Sequence, residues 1–267
     1  MRTSPVWNPQ QYGKYADERG RPFADLVGRI RIDAPSTVVD LGCGPGTLTA
    51  TLLDLWPQAT VHGVDSSAEM IDEAQQLAND RLSFEIADLR EWITATPSAA
   101  VDVIVSNATL HWIPEHLDLL PALIDRLRPG GWLAIQVPGN ADAPLHSILR
   151  DLAHSAEYAE FAASSSLRPD LPTTEDYVEV LSAAGCVVDA WETTYSHLLQ
   201  GDNAVLEWVK GTGARPVLQA LPDNLRADFE KEYGARLAEA YPQRDFGTLL
   251  PFRRVFAVAH KVADKEA

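Results

Sequence analysis

Cysteine is scarce in this chain of 267 residues: there are two, Cys43 and Cys186. Two thiols cannot build a disulfide framework, and neither stands in a cluster with metal-ligand spacing. Stability must therefore come from a buried core, and a reducing, cytoplasmic setting is expected. Long hydrophobic runs are missing too. No stretch approaches the ~20 apolar residues of a membrane span, and the opening MRTSPVW lacks the apolar segment of a signal peptide. Positive charge is in short supply, with 22 Lys and Arg against 38 Asp and Glu, a formal net charge of −16. With no dense basic tract, nucleic acid is excluded as the expected partner. Internal repeats and low-complexity linkers are also absent, which favours a single domain.

The little positive charge present is placed unevenly. Residues 1–32 hold six basic and three acidic residues, 33–209 hold six and 27, and 210–262 hold nine and six. The two net-positive stretches flank a strongly acidic middle. A few local arginines in such flanks can hold a small anion, although on charge alone solvated surface is the favoured reading of them.

From about residue 37, short apolar strands alternate with helical patterns: TVVDLG, TLTATLLDLW, ATVHGVD, SAEMIDEAQQLAN, RLSFEIAD, VDVIVSN, PEHLDLLPALIDRL and WLAIQVP. Strands that are apolar throughout belong to a parallel sheet covered on both faces, and right-handed crossovers make that sheet doubly wound. After Pro138 the rhythm changes to helical segments, a late strand over 187–199 and a closing strand over 252–262. The fold class expected is α/β, a doubly wound, mostly parallel seven-stranded sheet. A ligand-binding core would cover 33–138. A helical lid would be built from the amino-terminal segment 1–32 and from insertions over 139–251. Within 1–32, Pro22 is expected to start the helix PFADLVGRI, with Arg21 at its entrance.

The turn VVDLGCGPG, residues 38–46, follows the first strand. Gly42, Gly44 and Gly46 permit positive φ and close approach of a ligand to the backbone. Their spacing is GxGxG. A dinucleotide fingerprint needs glycine where Thr47 stands, and Pro45 removes a backbone donor, so a nicotinamide cofactor is disfavoured. Asp40 ends the first strand, where its carboxylate can face an ammonium group. Asp65 ends the second, where a carboxylate accepts hydrogen bonds from ribose hydroxyls. A ligand with a ribose, a cationic amino-acid end and no phosphate fits these groups, and S-adenosyl-L-methionine (SAM) is such a molecule.

With GVDSS (63–67), AD (87–88), SNATLHW (106–112) and LRPGGWLAIQ (127–136), the chain resembles the class I SAM-dependent methyltransferases. The resemblance implies that Asp40 and the 42–46 turn hold the methionine end. It implies that Asp65 and Ser66 meet the ribose, Met70 packs on the adenine, and Asp88 and Leu89 contact its amine and ring. Asn107 and Ala108 would line the floor near the sulfonium. Read without the resemblance, Asp88 is also a turn cap and Met70 also a core residue.

Further segments, among them LHWIPEH, QVPGN, WVKGTGARPVLQAL and LLPFRRVFAVA, are similar to the trans-aconitate methyltransferases over nearly the whole chain. That similarity implies a small anionic polycarboxylate as substrate and esterification of one carboxylate. An already ionised carboxylate needs no general base, so alignment carries the chemistry. The substrate-facing set expected is Tyr12, Arg19, Trp112, Gln136, Tyr195, His197, Arg215 and Arg254. For Trp112, Arg215 and Arg254, packing or ordinary ion pairing is the alternative. His111 is the one position to watch for proton transfer. It would matter if the acceptor were instead a phenol or a carbon nucleophile. A non-catalytic SAM-binding protein is the third reading, since binding does not establish turnover.

Overall fold

The computed structural model describes residues 16–162 and 171–263, with side chains from Gly20 onward. These residues group into two units. The larger holds 16–138, 172–193 and 254–263; the smaller holds 139–162, 171 and 194–253.

The larger unit is built on a sheet in the order β3-β2-β1-β4-β5-β8-β6. The strands are β1 (Thr37–Leu41), β2 (Thr60–Asp65), β3 (Leu82–Ile86), β4 (Val101–Asn107), β5 (Leu127–Pro138), β6 (Cys186–Leu199) and β8 (Gly247–Lys261). The first five pair in parallel, and β8 runs antiparallel to β5 with Gln136 opposite Phe256. Residues of β1 and β4 are buried almost without interruption, as strands covered on both faces require. The sheet has eight strands where seven were expected. The extra one is β7 (Gln243–Arg244), a two-residue hairpin partner of β8, too short to be read from an apolar run. Residues Gly247–Leu250 are already part of β8, so the closing strand starts earlier than its apolar stretch.

Chain order reverses between β1, which leads to β2 on one side, and β4 on the other. A crevice opens at the carboxyl ends of strands at such a reversal, and this is where open α/β sheets bind ligands. Helices α2 (Thr47–Leu55), α3 (Ala68–Ala74), α4 (Leu89–Ala95) and α5 (Leu120–Arg126) are the crossovers, and α8 (Thr174–Ala183) packs on α5. Leu41, Ile104, Leu110, Leu133 and Ile135 form the centre of the core.

Of the amino-terminal segment, residues 1–15 lie outside the described residues, and Tyr12 with them. Helix α1 (Ala16–Val27) follows and packs on β4 and β5, with Phe23 and Leu26 buried. It begins six residues before the expected start at Pro22, which lies inside it. Proline at the seventh of the twelve helical positions removes one backbone hydrogen bond from the helix interior, which burial of Phe23 and Leu26 offsets. Arg29 pairs with Asp189 at 3.0 Å, and its guanidinium lies 4.6 Å from the Trp191 ring centroid.

The smaller unit contains α6 (Pro144–Ala153), α7 (Ala159–Ala162), α9 (Ala204–Lys210), α10 (Arg215–Ala220) and α11 (Asp223–Ala240). Its core gathers Leu145, Leu149, Tyr158, Trp208, Phe229, Tyr233 and Phe252. α11 packs on α6 and α9. Tyr233 Oη donates to Leu145 O at 2.6 Å while Leu145 N donates to Tyr241 Oη at 3.2 Å, so two phenols pin the start of α6.

Candidate active site

The turn after β1 has four backbone N–H groups, and all are engaged. Gly42 and Cys43 donate to Val64 O at 2.7 and 3.1 Å, and Gly46 donates to Cys43 O at 3.2 Å. Gly44 N donates to Asp65 Oδ2 at 2.9 Å. Pro45 has no N–H. A pyrophosphate cradle needs several free, convergent donors. This turn has none to offer, which argues against the dinucleotide reading on geometry as well as on spacing.

The three glycines differ in what surrounds them. A Cβ on Gly42 would lie 1.9 Å from Thr109 Oγ1, and one on Gly46 would lie 2.7 Å from Phe84 Cζ. At Gly44 a Cβ would meet nothing within 4 Å. Thus protein side chains fill the space at Gly42 and Gly46, and only Gly44 borders open space that a ligand can use.

Asp65 Oδ1 accepts from Ser67 N at 2.9 Å, and with Gly44 on Oδ2 the carboxylate is fixed by two backbone donors. A carboxylate offers about four acceptor positions, so about two remain for a diol. Burial raises its pKa, and the backbone N–H groups of Ser67, Gly44 and Ser66 oppose that. Asp40 is 3% exposed and accepts from Thr49 Oγ1 at 2.6 Å. Burial pushes its pKa up to about 7; the Thr49 hydroxyl opposes the shift and the nearby Asp65 adds to it. A buried acid whose ionised form is this disfavoured is a place where a cationic group gains most. Cys43, inside the same turn, is buried with its thiol pKa raised, so it is no nucleophile.

Ser67 caps α3, accepting from Met70 N at 3.3 Å, and Ser66 beside it is exposed. Met70 is buried in the core. Asp88 caps α4 through Arg90 N at 2.8 Å, and both of its oxygens accept from the Arg90 guanidinium at 3.1 Å. Those bonds to Arg90 hold its carboxyl below the usual range. An adenine amine at Asp88 would have to share that carboxylate. Leu89 beside it is buried.

At the end of β4, Ser106 Oγ donates to Leu41 O at 2.9 Å and binds β4 to β1. Asn107 stands opposite Gln136 in the ladder, and its Oδ1 is buried with no hydrogen-bond partner among the described residues. Ala108 takes a left-handed φ of 55° and donates its N–H to Gln136 O at 2.8 Å. The Thr109 hydroxyl lies 3.3 Å from Gly42 O and 3.2 Å from Asn107 O. His111 and Trp112 follow in a short 3-10 turn, half-buried, with ring centroids 4.7 Å apart. Gln136 is fully buried; its Oε1 accepts from Arg254 Nη1 at 3.4 Å, and its Nε2 has no partner among the described residues. Arg254 is itself 6% exposed. The strand ends thus collect Asp40, Asp65, Asn107, Gln136 and Arg254 in the larger unit. The spacing of motifs did not reveal Thr49, Thr109 or Phe84. Only Thr49 leaves a trace in sequence, a hydroxyl three residues past the last glycine.

Of the other residues expected to face a substrate, Arg19 belongs to the larger unit, and Tyr195, His197 and Arg215 belong to the smaller. Arg19 falls within α1, with its side chain outside the described residues. Tyr195 and His197, in the smaller unit, share a face of β6 with rings 9° from parallel. His197 stacks on Trp208 at 4.8 Å and lies 6.1 Å from Phe252, within an aromatic core. Arg215 opens α10 and is half-buried. Arg253 lies 3.6 Å from Asp142 and is an ion-pair residue. Among the described residues, no group of His, Cys, Asp or Glu could hold a metal, and no helix is long and apolar enough to cross a membrane.

A methyltransferase-domain family model matches residues 15–190. Trans-aconitate 2-methyltransferase of Streptomyces avermitilis is 50% identical over 267 residues, covering 97% of this chain and 98% of that one. The protein of the same name from Streptomyces coelicolor is 51% identical over 270 residues, covering 97% and 88%. Among solved structures, geranyl diphosphate C-methyltransferase of Streptomyces coelicolor, bound to S-adenosyl-L-homocysteine, superposes with TM-score 0.53 at 16% identity, covering 95% and 83%. At that identity the match speaks for the fold alone. Identity near one half along almost the whole chain speaks for more: this chain belongs to the trans-aconitate 2-methyltransferase family of methyltransferase-domain proteins.

Proposed function

We propose that this chain transfers the methyl group of SAM to a carboxylate oxygen of trans-aconitate, leaving the monomethyl ester and S-adenosyl-L-homocysteine. The observation that carries the substrate is the 50% identity over 97% of the chain to a relative of that name. The cofactor rests on the family model and on the turn whose N–H groups are all engaged beside the buried Asp40 and the half-buried Asp65. SAM supplies an electrophilic methyl group on a sulfonium.

The residues present fit that group. Asp65 has acceptor capacity left for the ribose hydroxyls. Asp40 and the open face at Gly44 suit the amino-acid end. Met70 and Leu89 would flank the adenine, Asp88 would be shared between its amine and Arg90, and Ser66 would lie beside the ribose. Asn107 and Ala108 would form the floor. On the substrate side, Arg254 and Gln136 are the carboxylate clamp. A guanidinium and a neutral amide, both buried, give strong, directed hydrogen bonds because water is kept away. No residue is assigned as a base, since the acceptor carboxylate is ionised at neutral pH. His111 is accordingly left outside the chemistry.

The test is incubation with methyl-labelled SAM and a panel of di- and tricarboxylic acids, with products identified by mass spectrometry. A labelled monomethyl ester of trans-aconitate is expected. Label only on other acids of the panel, label on a carbon atom in place of a carboxylate oxygen, or no transfer would overturn the reading.

A further inference from the structure

Asn107 and Gln136 stand opposite one another near the carboxyl ends of β4 and β5. Gln136 is fully buried and its Nε2 has no partner among the described residues; the buried Oδ1 of Asn107 has none either. A donor and an acceptor on neighbouring strands, about 4.8 Å apart at the backbone, could answer one another. They do not. A buried polar atom left unanswered is disfavoured, so each is aimed at something other than its neighbour. Arg254 fixes which end of the Gln136 amide is presented. Its Nη1 donates to Oε1 at 3.4 Å, and the N–H donor is the end left over.

The sheet register says what flanks the two. Asp40 pairs with Gly63 and Val105, Asn107 with Gln136, and Gln136 with Phe256. Side chains alternate between the faces along a strand, so residues two apart share one. Asp65, Asp40, Asn107, Gln136 and Arg254 therefore lie on one face of the sheet, all within the larger unit. The influence of Asp65 on Asp40 and the bond from Arg254 to Gln136 agree with that placement.

Across the strands from β2 to β8, that row reads carboxyl, carboxyl, amide oxygen, amide nitrogen, guanidinium. Its polarity reverses once, between Asn107 and Gln136. A cation is favoured on the β1 side of this line and an anion on the β8 side. Methyl transfer to a carboxylate brings together one of each, a sulfonium and an acid group.

We propose that this line divides the two reactants: Asn107 Oδ1 faces the sulfonium methyl of SAM, and Gln136 Nε2 donates to the carboxylate oxygen that accepts it. The inference rests on the proposed carboxylate methylation and deepens it. An electron pair of the carboxylate oxygen forms the new O–C bond, and the pair of the broken S–C bond stays on sulfur. The carboxylate becomes a neutral ester and the sulfonium a neutral thioether, so each amide loses the charge it faced. Asn107 thus contributes more to holding SAM than S-adenosyl-L-homocysteine, and Gln136 more to holding the acid than its ester. The first contact, to polarised C–H groups, is the weaker; the second is a charge-assisted hydrogen bond.

Calorimetry on the full-length enzyme reads both contacts as affinity ratios, which a general loss of stability does not move. Asn107→Leu should lower SAM affinity relative to S-adenosyl-L-homocysteine about two- to fivefold from the wild-type ratio. Asn107→Asp, which keeps an oxygen there, should hold or raise that ratio. Gln136→Glu keeps an oxygen for Arg254 and removes only the donor. With S-adenosyl-L-homocysteine bound, it should weaken trans-aconitate about tenfold or more relative to its monomethyl ester. If either ratio stays at its wild-type value in a folded variant, the pair is overturned and ordered water is its partner. Ester formation by wild type in that case leaves the proposed function standing. If wild type forms no ester, the proposed function fails, and the pair is judged by the same two ratios. If a variant does not fold, the assigned side-chain amide signals of labelled wild type decide. Asn107 must shift more with SAM than with S-adenosyl-L-homocysteine, and Gln136 more with trans-aconitate than with the ester, or the pair is wrong.

Discussion

Asp40 shows how a single buried carboxyl becomes functional. Its pKa, raised to about 7 by burial, means that the folded protein binds its proton more tightly than the unfolded chain does. The group therefore contributes stability that is fully present below its ordinary value near 4. That contribution is lost as pH rises from there through about 7. A cation bound against Asp40 reverses the balance by favouring the ionised form. SAM binding near pH 7 should thus release a fraction of a proton, and SAM affinity should fall as pH drops from 8 to 6. Calorimetry in buffers of different ionisation enthalpy reads this directly, and Asp40→Asn should abolish the proton release. A buffer-independent heat would remove Asp40 from the cofactor site. Asp40 and Asp65 were legible in the sequence because strand ends and a glycine turn fix their places within one local unit. Thr109 was not, because its place beside Gly42 O depends on the pairing of β4 with β1, some sixty residues apart in sequence.

At the scale of elements, the turn between β1 and α2 separates two uses of glycine that look identical in sequence. Gly42 has φ 83° and Thr109 Oγ1 1.9 Å from where a Cβ would stand, so Gly42→Ala must move Thr109 and distort its contacts with Gly42 O and Asn107 O. Gly44 has φ 54° and an empty surround. Gly42→Ala is expected to cost more than about 2 kcal/mol, from left-handed strain plus overpacking. Gly44→Ala should cost about 1 kcal/mol from strain alone and should weaken SAM at least as much as it lowers stability. Denaturant unfolding and SAM titration on both variants check the contrast; equal stability losses with no cofactor effect would contradict it. The parallel strands were readable because they are apolar on both faces. The start of α1 was not, since Pro22 reads as a boundary until Phe23 and Leu26 are seen buried against the sheet. β7 was invisible for its two residues, although Gly247 beside it pairs with Arg244 and opens β8.

Across the whole molecule the question is how a chain of net charge −16 captures a polyanion. Two electrostatic effects compete, and burial decides between them. The surplus of acids is a diffuse surface field, screened over roughly 30 Å at 0.01 M salt and about 8 Å at 0.15 M. The proposed clamp is local and shielded from ions, with Arg254 6% exposed and Gln136 fully buried. Added salt should therefore weaken the repulsion met on approach far more than the attraction met on arrival. For trans-aconitate, kcat/KM is expected to rise, on the order of two- to tenfold, between about 0.01 and 0.15 M salt. At saturating substrate kcat should hardly change. Stopped assays across that range, with SAM saturating, measure both. A kcat/KM that falls instead would mean exposed arginines guide the substrate in, and the buried pair would lose its place as the principal anion contact.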